Sequence, residues 1–218
     1  MDATDSPPDG SSTPETLVLE PERAGFDRYL EDTIVIDWQT PAVLERARSL
    51  VDGVDDESAR ITRLFEFVRD EISHSIDADR DVVTCNASHV LREATGLCYA
   101  KSHLLVALLR SRGIPAGFGY QRLRDADSLR GFSLHGFVAA WSHQRTRWVV
   151  LDPRGDNDRV HTRVDFEVPS FAFAVDPDAG EITYPWIYAR PAKRVVDLLD
   201  SVENLSRIRK HLPDALPV

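Results

Sequence analysis

The chain has 218 residues, 42% of them hydrophobic, which is enough for one domain with a substantial core. Its formal net charge of −10, without a basic stripe that could neutralise phosphates, argues against a nucleic-acid partner. No stretch approaches the roughly 20 apolar residues of a membrane span, and two cysteines are too few for a disulfide framework. Because residues 1–10 are acidic and proline-containing, unlike a signal peptide, we expect a cytoplasmic protein.

The charged residues are skewed in type. Aspartate outnumbers glutamate by 24 to 12, and arginine outnumbers lysine by 23 to 3. A dense acidic surface of this halophilic type keeps a protein hydrated in a salt-rich cytosol, where screening limits its self-repulsion. An ordinary acidic protein from a GC-rich genome would show the same skew, so both interpretations stay open.

The first part of the chain predicts a tail followed by helices. Residues 1–14 are rich in Pro, Ser, Gly and Asp and predict a disordered acidic tail, which leaves 15–218 as a single domain. Apolar spacing and helix-starting residues then define the next elements. These are a short strand at 33–36 and helices at 41–51, from 55 onward, and at 86–93.

A helix that starts near Cys98 is the centre of the prediction. Thr95 can cap it, and its apolar positions recur at the spacing of one helix face, with Lys101 able to extend to solvent. Gly113 suits a left-handed C-cap and Pro115 forbids continuation. Cys98 falls in the first turn, where unpaired amide groups and the helix dipole favour a thiolate over a thiol. Cys98 is therefore the candidate nucleophile.

After this helix the pattern changes to strands. Alternating β-type residues predict strands at 116–123, 134–141 and 147–151. Residues 164–188 have many aromatics and prolines without a clean period, which indicates irregular packing on the sheet. An amphipathic pattern over 192–212 predicts a closing helix.

The last two strands bring two polar residues together. If their turn is centred between His143 and Gln144, His135 lies directly opposite Asp152, on the same face of the sheet. A cysteine at a helix N-terminus, facing such a His and Asp, forms the arrangement needed for nucleophilic acyl transfer. The thiolate attacks, the imidazole transfers the proton, and the carboxylate orients the imidazole.

Four segments, in this order, resemble the transglutaminase-like superfamily. They are GLCYAK at 96–101, LRSRGIPA at 109–116, His135 on a strand, and Trp148 before the Leu-Asp-Pro of 151–153. The resemblance is close over about 57–160. It implies an α+β, papain-like fold in which N-terminal helices and the nucleophile helix pack on an antiparallel β-sheet.

The same resemblance implies roles for three residues. Cys98 would be the nucleophile, His135 the base and Asp152 the orienting carboxylate, and no cofactor would be needed. A chain without the large accessory domains of the animal cross-linkers favours hydrolysis of an amide bond in a peptide or protein substrate. Amine transfer to protein glutamine and a non-catalytic binding or scaffolding role are the alternatives.

The second donor to the reacting oxygen is less well defined. The Cys98 backbone amide is a natural donor, and relatives in the superfamily add an upstream side chain. His74 and Ser75, in the loop before the helix, are the candidates. The aromatic segment at 166–188 could line a substrate cleft beside His135 or cover an exposed sheet edge.

A zinc site is the rival interpretation of the cysteines and histidines. Cys85, His89, Cys98 and His103 offer four nitrogen or sulfur ligands within a short stretch. Cys98 and His103 are five apart on a predicted helix and would point about 140° from one another. We therefore expect no metal site, and we interpret Cys85 as a buried spectator.

Overall fold

The computed structural model describes residues 18–202, 204–208 and 211–217, so the predicted tail at 1–14 lies outside the described residues. The helices are α1 (Pro41–Val51), α2 (Glu57–Glu71), α3 (Ala87–Glu93), α4 (Cys98–Ser111), α5 (Lys193–Ser201) and α6 (Leu205–Ile208). The strands are β1 (Glu20–Pro21), β2 (Ser73–His74), β3 (Thr95–Gly96), β4 (Ala116–Arg124), β5 (Phe132–Ser142), β6 (Arg147–Leu151), β7 (Ile182–Thr183) and β8 (Trp186–Ile187).

Four of the strands form an antiparallel sheet in the order β6-β5-β4-β7. Helix α4 packs on this sheet and also contacts α1, α2 and α3, so it lies between the sheet and the other helices. The predicted α+β architecture, with the helix that starts at Cys98 packed on an antiparallel sheet, is confirmed. In the described part of the chain, no helix combines the length and the apolar character needed to cross a bilayer.

Helices α1 and α2 start where the sequence predicts. Pro41 occupies the first turn of α1, where its missing N–H costs nothing. The Asp56 side chain caps α2 by accepting a hydrogen bond from the Ala59 amide at 2.7 Å. The buried face of α2 contains the apolar residues that its spacing indicates, Ile61, Leu64, Phe65 and Val68.

Helix α4 is buried on every side, from Cys98 to Arg110. The prediction that Lys101 would extend to solvent is therefore wrong. Its side chain is fully buried, and Nζ donates to the carbonyls of Arg69 and Ile72 at the end of α2. The ammonium thus satisfies carbonyls that a helix C-terminus leaves unpaired.

The segment entering α4 also differs from the prediction. Thr95 is not the N-cap, which is Leu97. Thr95 and Gly96 form β3 instead, paired in parallel with Ser73 and His74 of β2. This pairing places His74 beside the chain that leads to Cys98.

The β5–β6 hairpin is offset from its predicted register by two positions. Val138 pairs with Leu151 and Ser142 with Arg147, so the turn has four residues and β6 ends one residue before Asp152. The prediction that Asp152 lies directly opposite His135 is therefore wrong. A shift of two positions preserves the face of the sheet, because side chains alternate with period two.

Glu57 accounts for the longer turn. Its carboxylate accepts hydrogen bonds from Ser142 Oγ at 3.0 Å, from His143 Nδ1 at 2.9 Å and from the Gln144 amide at 3.1 Å. The start of α2 thereby fixes the hairpin loop. This contact joins residues more than 80 positions apart, which local turn rules do not include.

Two other predicted elements are not formed. Residues 33–36 make a closed bend, in which the Ile36 amide donates to Thr33 Oγ1 at 3.0 Å, rather than a strand. The helix predicted over 192–212 is broken into α5 and α6, with Val202 extended between them. A continuous helix would place Leu205 about 80° away from Val195 around the axis, whereas the break allows both side chains to be buried.

Candidate active site

Cys98 is the first residue of α4, so its amide is one of the N–H groups that a helix leaves unpaired. The thiol is buried, with 8% of the residue exposed, and it lines a cleft of about 300 Å³. The helix dipole at this position favours negative charge on the sulfur. The structure therefore places Cys98 where both a thiolate and a developing oxyanion would be stabilised.

The side chains of His135 and Asp152 are hydrogen-bonded to each other beside Cys98. His135 Nε2 donates to Asp152 Oδ2 at 2.8 Å, and both side chains are buried. Because Nε2–H is hydrogen-bonded to Asp152, Nδ1 is the ring nitrogen left for the sulfur. The three residues that the sequence selects, Cys98, His135 and Asp152, are therefore brought together, although not by direct cross-strand pairing.

The electrostatics of the cluster favour an ion pair between sulfur and imidazole. Burial of Cys98 raises the pKa of its thiol, but hydrogen bonding to His135 and His74 outweighs burial and lowers the pKa below its usual range. Burial lowers the pKa of His135, but the charge of Asp152 and its hydrogen bond outweigh burial and raise it. A thiolate and an imidazolium are mutually stabilised near neutral pH.

Asp152 is held by two further backbone groups. The Ala172 amide donates to Oδ2 at 2.8 Å and the Arg154 amide to Oδ1 at 3.3 Å. Phe173 follows Ala172, and its ring meets the His135 ring edge-on at 5.0 Å between centroids. The sequence offers the segment at 166–188 as a possible cleft lining, but because the segment has no periodic pattern it does not predict the contacts of residues 172 and 173 with Asp152 and His135.

Tyr99 links the nucleophile helix to the histidine strand. Its hydroxyl donates to the carbonyl of Leu134, the residue before His135. Gly136 makes this approach possible, since a Cβ there would lie 3.0 Å from Tyr99 Cδ1. The spacing between Cys98 and His135 is thus fixed by their direct neighbours in sequence.

His74 and Ser75, the two candidates for a second donor to the reacting oxygen, have different environments. His74 lines the cleft with Cys98 and interacts with its sulfur. Ser75 is buried and forms a hydrogen bond with Thr95 Oγ1 at 3.2 Å. His74 is therefore the side chain placed to act at Cys98, and Ser75 supports the β2–β3 pairing.

The cleft is mainly apolar around the sulfur. Its charged residues hydrogen-bond protein groups. Arg124 Nε donates to the Ala179 carbonyl at 3.2 Å, and Arg154 pairs with Asp77. The Asp125 carboxylate accepts the Asp127 amide, and Glu181 accepts the amides of Arg124 and Asp176. The apolar lining comes from Ile76, Leu97, Leu123, Leu134, Phe173 and Leu212. Part of the aromatic segment at 166–188 thus lines this cleft, and β7, from the same part of the chain, pairs with β4 at the sheet edge.

The cysteines and histidines of the zinc interpretation do not converge. His103 Nδ1 lies 2.8 Å from the Cys85 carbonyl oxygen, inside the core. Burial, followed by an interaction with Asp200, raises the pKa of the Cys85 thiol, which disfavours the thiolate that a metal would need. Within the ranges that the structure describes, no three His, Cys, Asp or Glu side chains are grouped to hold a metal ion.

A family comparison matches this geometry. The model of the transglutaminase-like superfamily matches residues 45–153, which include Cys98, His135 and Asp152. The chain belongs to this superfamily. None of the curated protein sequences is similar enough to count as a match.

Solved structures of other proteins are similar to this chain at low sequence identity. A candidate cysteine protease from Cytophaga hutchinsonii is 14% identical with a TM-score of 0.50, covering 78% of this chain and 55% of that protein. The periplasmic domain of TgpA from Pseudomonas aeruginosa is 17% identical with a TM-score of 0.43, covering 57% and 45% of the two chains. Red sea bream transglutaminase is 18% identical with a TM-score of 0.36, covering 61% and 26%. The chain thus spans about half or less of these proteins.

Proposed function

We propose that this transglutaminase-like protein is a thiol hydrolase that cleaves an amide bond in a peptide or protein through a thioester on Cys98. The observation that carries the proposal is the buried cluster in which the Cys98 sulfur interacts with His135, while His135 is bonded to Asp152 at 2.8 Å. A histidine held in this way can both stabilise a thiolate and deliver its proton to a leaving group.

The first half of the reaction forms the thioester. The Cys98 thiolate attacks the substrate carbonyl carbon, and the C=O electron pair moves to the oxygen, towards the Cys98 amide at the start of α4. His135 Nδ1 gives its proton to the amide nitrogen as the C–N bond breaks. The amine leaves, and the acyl group stays on the sulfur.

The second half releases the acyl group. A water molecule gives a proton to His135 Nδ1 while its oxygen attacks the thioester carbon. Collapse of this intermediate breaks the C–S bond and returns the electron pair to the Cys98 sulfur. Asp152 keeps its charge throughout and holds the imidazole in orientation, as expected for a carboxylate in this role.

Water is the simplest acceptor for the thioester. The cleft around Cys98 opens to solvent, and water needs no binding site of its own, whereas an amine must be bound and deprotonated. These considerations support hydrolysis over amine transfer. A cleft of about 300 Å³ suits the few side chains that flank a scissile bond.

Product analysis tests the proposal. Wild type and Cys98→Ala are incubated with a mixture of short peptides, with and without methylamine, at high and at low salt, and products are identified by mass. We expect new carboxyl termini in the wild type, none with Cys98→Ala, and full activity with the matched control Cys85→Ala. Methylamides in excess of acids would contradict hydrolysis and indicate amine transfer. No product and no acyl-enzyme under any condition would contradict the enzyme proposal.

A further inference from the structure

His74 is a second imidazole at the nucleophile. It lies on β2, which pairs with β3 directly before α4, and its side chain is 8% exposed. The ring and the Cys98 sulfur line the same cleft, and His74 contributes to the lowered pKa of the thiol. Nδ1 is buried and makes no hydrogen bond within the described residues, and the nearest carboxylate oxygen, Asp77 Oδ1, is 3.6 Å away. With Nδ1 directed at Asp77, Nε2 is the nitrogen left for Cys98.

Asp77 is itself held by two side chains through three hydrogen bonds. Arg154 donates to it from both guanidinium nitrogens, with Nη2 to Oδ1 at 3.0 Å, and Asn157 Nδ2 donates to Oδ2 at 3.0 Å. Arg154 is two residues after Asp152, and its amide donates to that carboxylate. One carboxylate therefore connects the loop that carries His74 with the loop that follows Asp152.

The His74–Asp77 pair has the same arrangement as the His135–Asp152 pair. In each case an imidazole lies between the Cys98 sulfur and an aspartate, His135 with Asp152 and His74 with Asp77. The two pairs differ in distance: His135 Nε2 lies 2.8 Å from Asp152 Oδ2, whereas His74 Nδ1 lies 3.6 Å from Asp77 Oδ1. A movement of less than 1 Å would close the second into a hydrogen bond, as catalytic contacts often tighten when substrate binds.

We propose that His74 donates a hydrogen bond from Nε2 to the reacting carbonyl oxygen, and that Asp77 is the positioning residue that orients the His74 ring. The inference rests on the proposed function, because the oxygen in question belongs to the acyl group on Cys98. It completes an oxyanion site whose other donor is the Cys98 amide. In this role His74 keeps a proton on each ring nitrogen, Nδ1–H towards Asp77 and Nε2–H towards the oxygen, so it transfers no proton and the acid and base steps stay with His135.

Steady-state kinetics on the best peptide substrate test the donor. His74→Ala removes one donor to the developing oxyanion, which costs about 10²-fold in kcat in comparable sites. Asp77→Asn leaves His74 in place but loosens its orientation, so we expect a smaller loss in kcat, about tenfold, with KM little changed. Asp79→Asn is the matched control, since Asp79 is exposed and its substitution removes the same charge from the same loop. It should match wild type.

A double-mutant cycle separates positioning from a general structural effect. If Asp77 acts through His74, adding Asp77→Asn to His74→Ala should cause no further loss in kcat. Losses that multiply in the double mutant would overturn the proposal. An effect of Asp77 that is transmitted through Arg154 and the 152–157 loop would persist without His74, so the cycle would show it as such a multiplied loss.

Two measurements keep the result interpretable. If Asp77→Asn does not fold, Asp77→Glu replaces it in the cycle. That variant keeps the charge for Arg154 but moves the carboxylate by one methylene, and the same non-additive loss is expected. Alkylation of Cys98 in the wild type reports on the thiol alone. If Cys98 is reactive but His74→Ala or Asp77→Asn leaves kcat unchanged, only this inference is overturned. If Cys98 is unreactive in the wild type, the proposed function is overturned.

Discussion

Asp152 lies one residue beyond the end of β6, and from there its Oδ2 accepts a hydrogen bond from His135 Nε2 at 2.8 Å. The carboxylate is fully buried and also accepts the amides of Ala172 and Arg154. Among the described residues, Asp152 is therefore held by the histidine and by two segments that follow β6 in the chain. Its orientation is set by this network.

Asp152→Asn should leave the protein folded but remove the negative charge that supports His135. Loss of the equivalent carboxylate in a Ser-His-Asp enzyme lowers kcat by about 10⁴-fold, and we expect a fall of about 10³ to 10⁴ here in peptide hydrolysis. Asp158→Asn, an exposed neighbour, serves as the control. An Asp152→Asn protein with near-wild-type kcat would show that Asp152 does not support His135 in catalysis.

The buried lysine of α4 predicts an unusual dependence of stability on pH. Burial, and next the nearby charge of Arg154, lower the pKa of Lys101 to about 7. An unfolded lysine has a pKa of about 10.4, so between these values the unfolded chain binds the proton more tightly than the folded chain. The destabilising contribution of Lys101 should therefore shrink as pH rises through this interval.

Denaturant unfolding of the wild type and Lys101→Met tests this. Because the variant lacks the titrating group, the wild type should gain free energy of unfolding relative to Lys101→Met between about pH 7 and 10. Lys193→Met, which removes an exposed lysine, is the matched control and should show no such trend. A constant difference between wild type and Lys101→Met would contradict the lowered pKa.

Glu57 should contribute to stability without contributing to catalysis. Glu57→Gln weakens the charge-assisted bonds to the hairpin loop and should lower the free energy of unfolding by about 1–3 kcal/mol. Burial raises the pKa of Glu57, but the hydrogen bonds from Gln144, His143 and Ser142 outweigh it and lower the pKa. The stabilisation should therefore be present above the usual glutamate pKa and fade as pH falls through the lowered value.

Urea titrations of wild type and Glu57→Gln at neutral and acidic pH measure this contribution. The difference between the two proteins should be largest at neutral pH and smallest in acid. Peptide hydrolysis by the folded variant should equal that of the wild type, because Glu57 contacts the loop and not the cleft. A large loss of kcat in Glu57→Gln would contradict this assignment.

The apolar cleft predicts a preference among substrates. Most of the cleft lining is apolar, and its charged residues already hydrogen-bond protein groups, so a charged substrate side chain would lose more hydration than it regains there. Peptides with Leu or Phe beside the scissile bond should therefore be cleaved with a kcat/KM at least about tenfold higher than those with Asp or Lys there. Competition between such peptides, quantified by mass spectrometry, measures the ratio. Equal rates would show that the substrate does not occupy this cleft.

The nucleophile helix and the identity of the three clustered residues could be predicted from local patterns. Cys98 at a helix start depends on nearby residues, and His135 and Asp152 share a face because strand alternation survives an even shift in register. The exact pairing could not be predicted, because Glu57 fixes the hairpin turn from far away in the sequence.

Other parts of the site depend on contacts between distant segments. His74 reaches Cys98 through the β2–β3 pairing of two-residue strands, which have no detectable period. The Ala172 amide reaches Asp152 from an irregular segment. The helix spacing places Lys101 on the apolar face but does not show that other helices cover it entirely.

The central claim is that Cys98 is a low-pKa nucleophile paired with His135. The most direct test is the rate of iodoacetamide alkylation against pH, followed by intact mass, for wild type, Cys98→Ala and Cys85→Ala. We expect one thiol to react rapidly well below the usual cysteine pKa of about 8.5, with this reaction lost in Cys98→Ala and kept in Cys85→Ala. If Cys98 in the native protein reacts no faster than a free thiol at every pH, the thiolate–imidazolium pair does not exist.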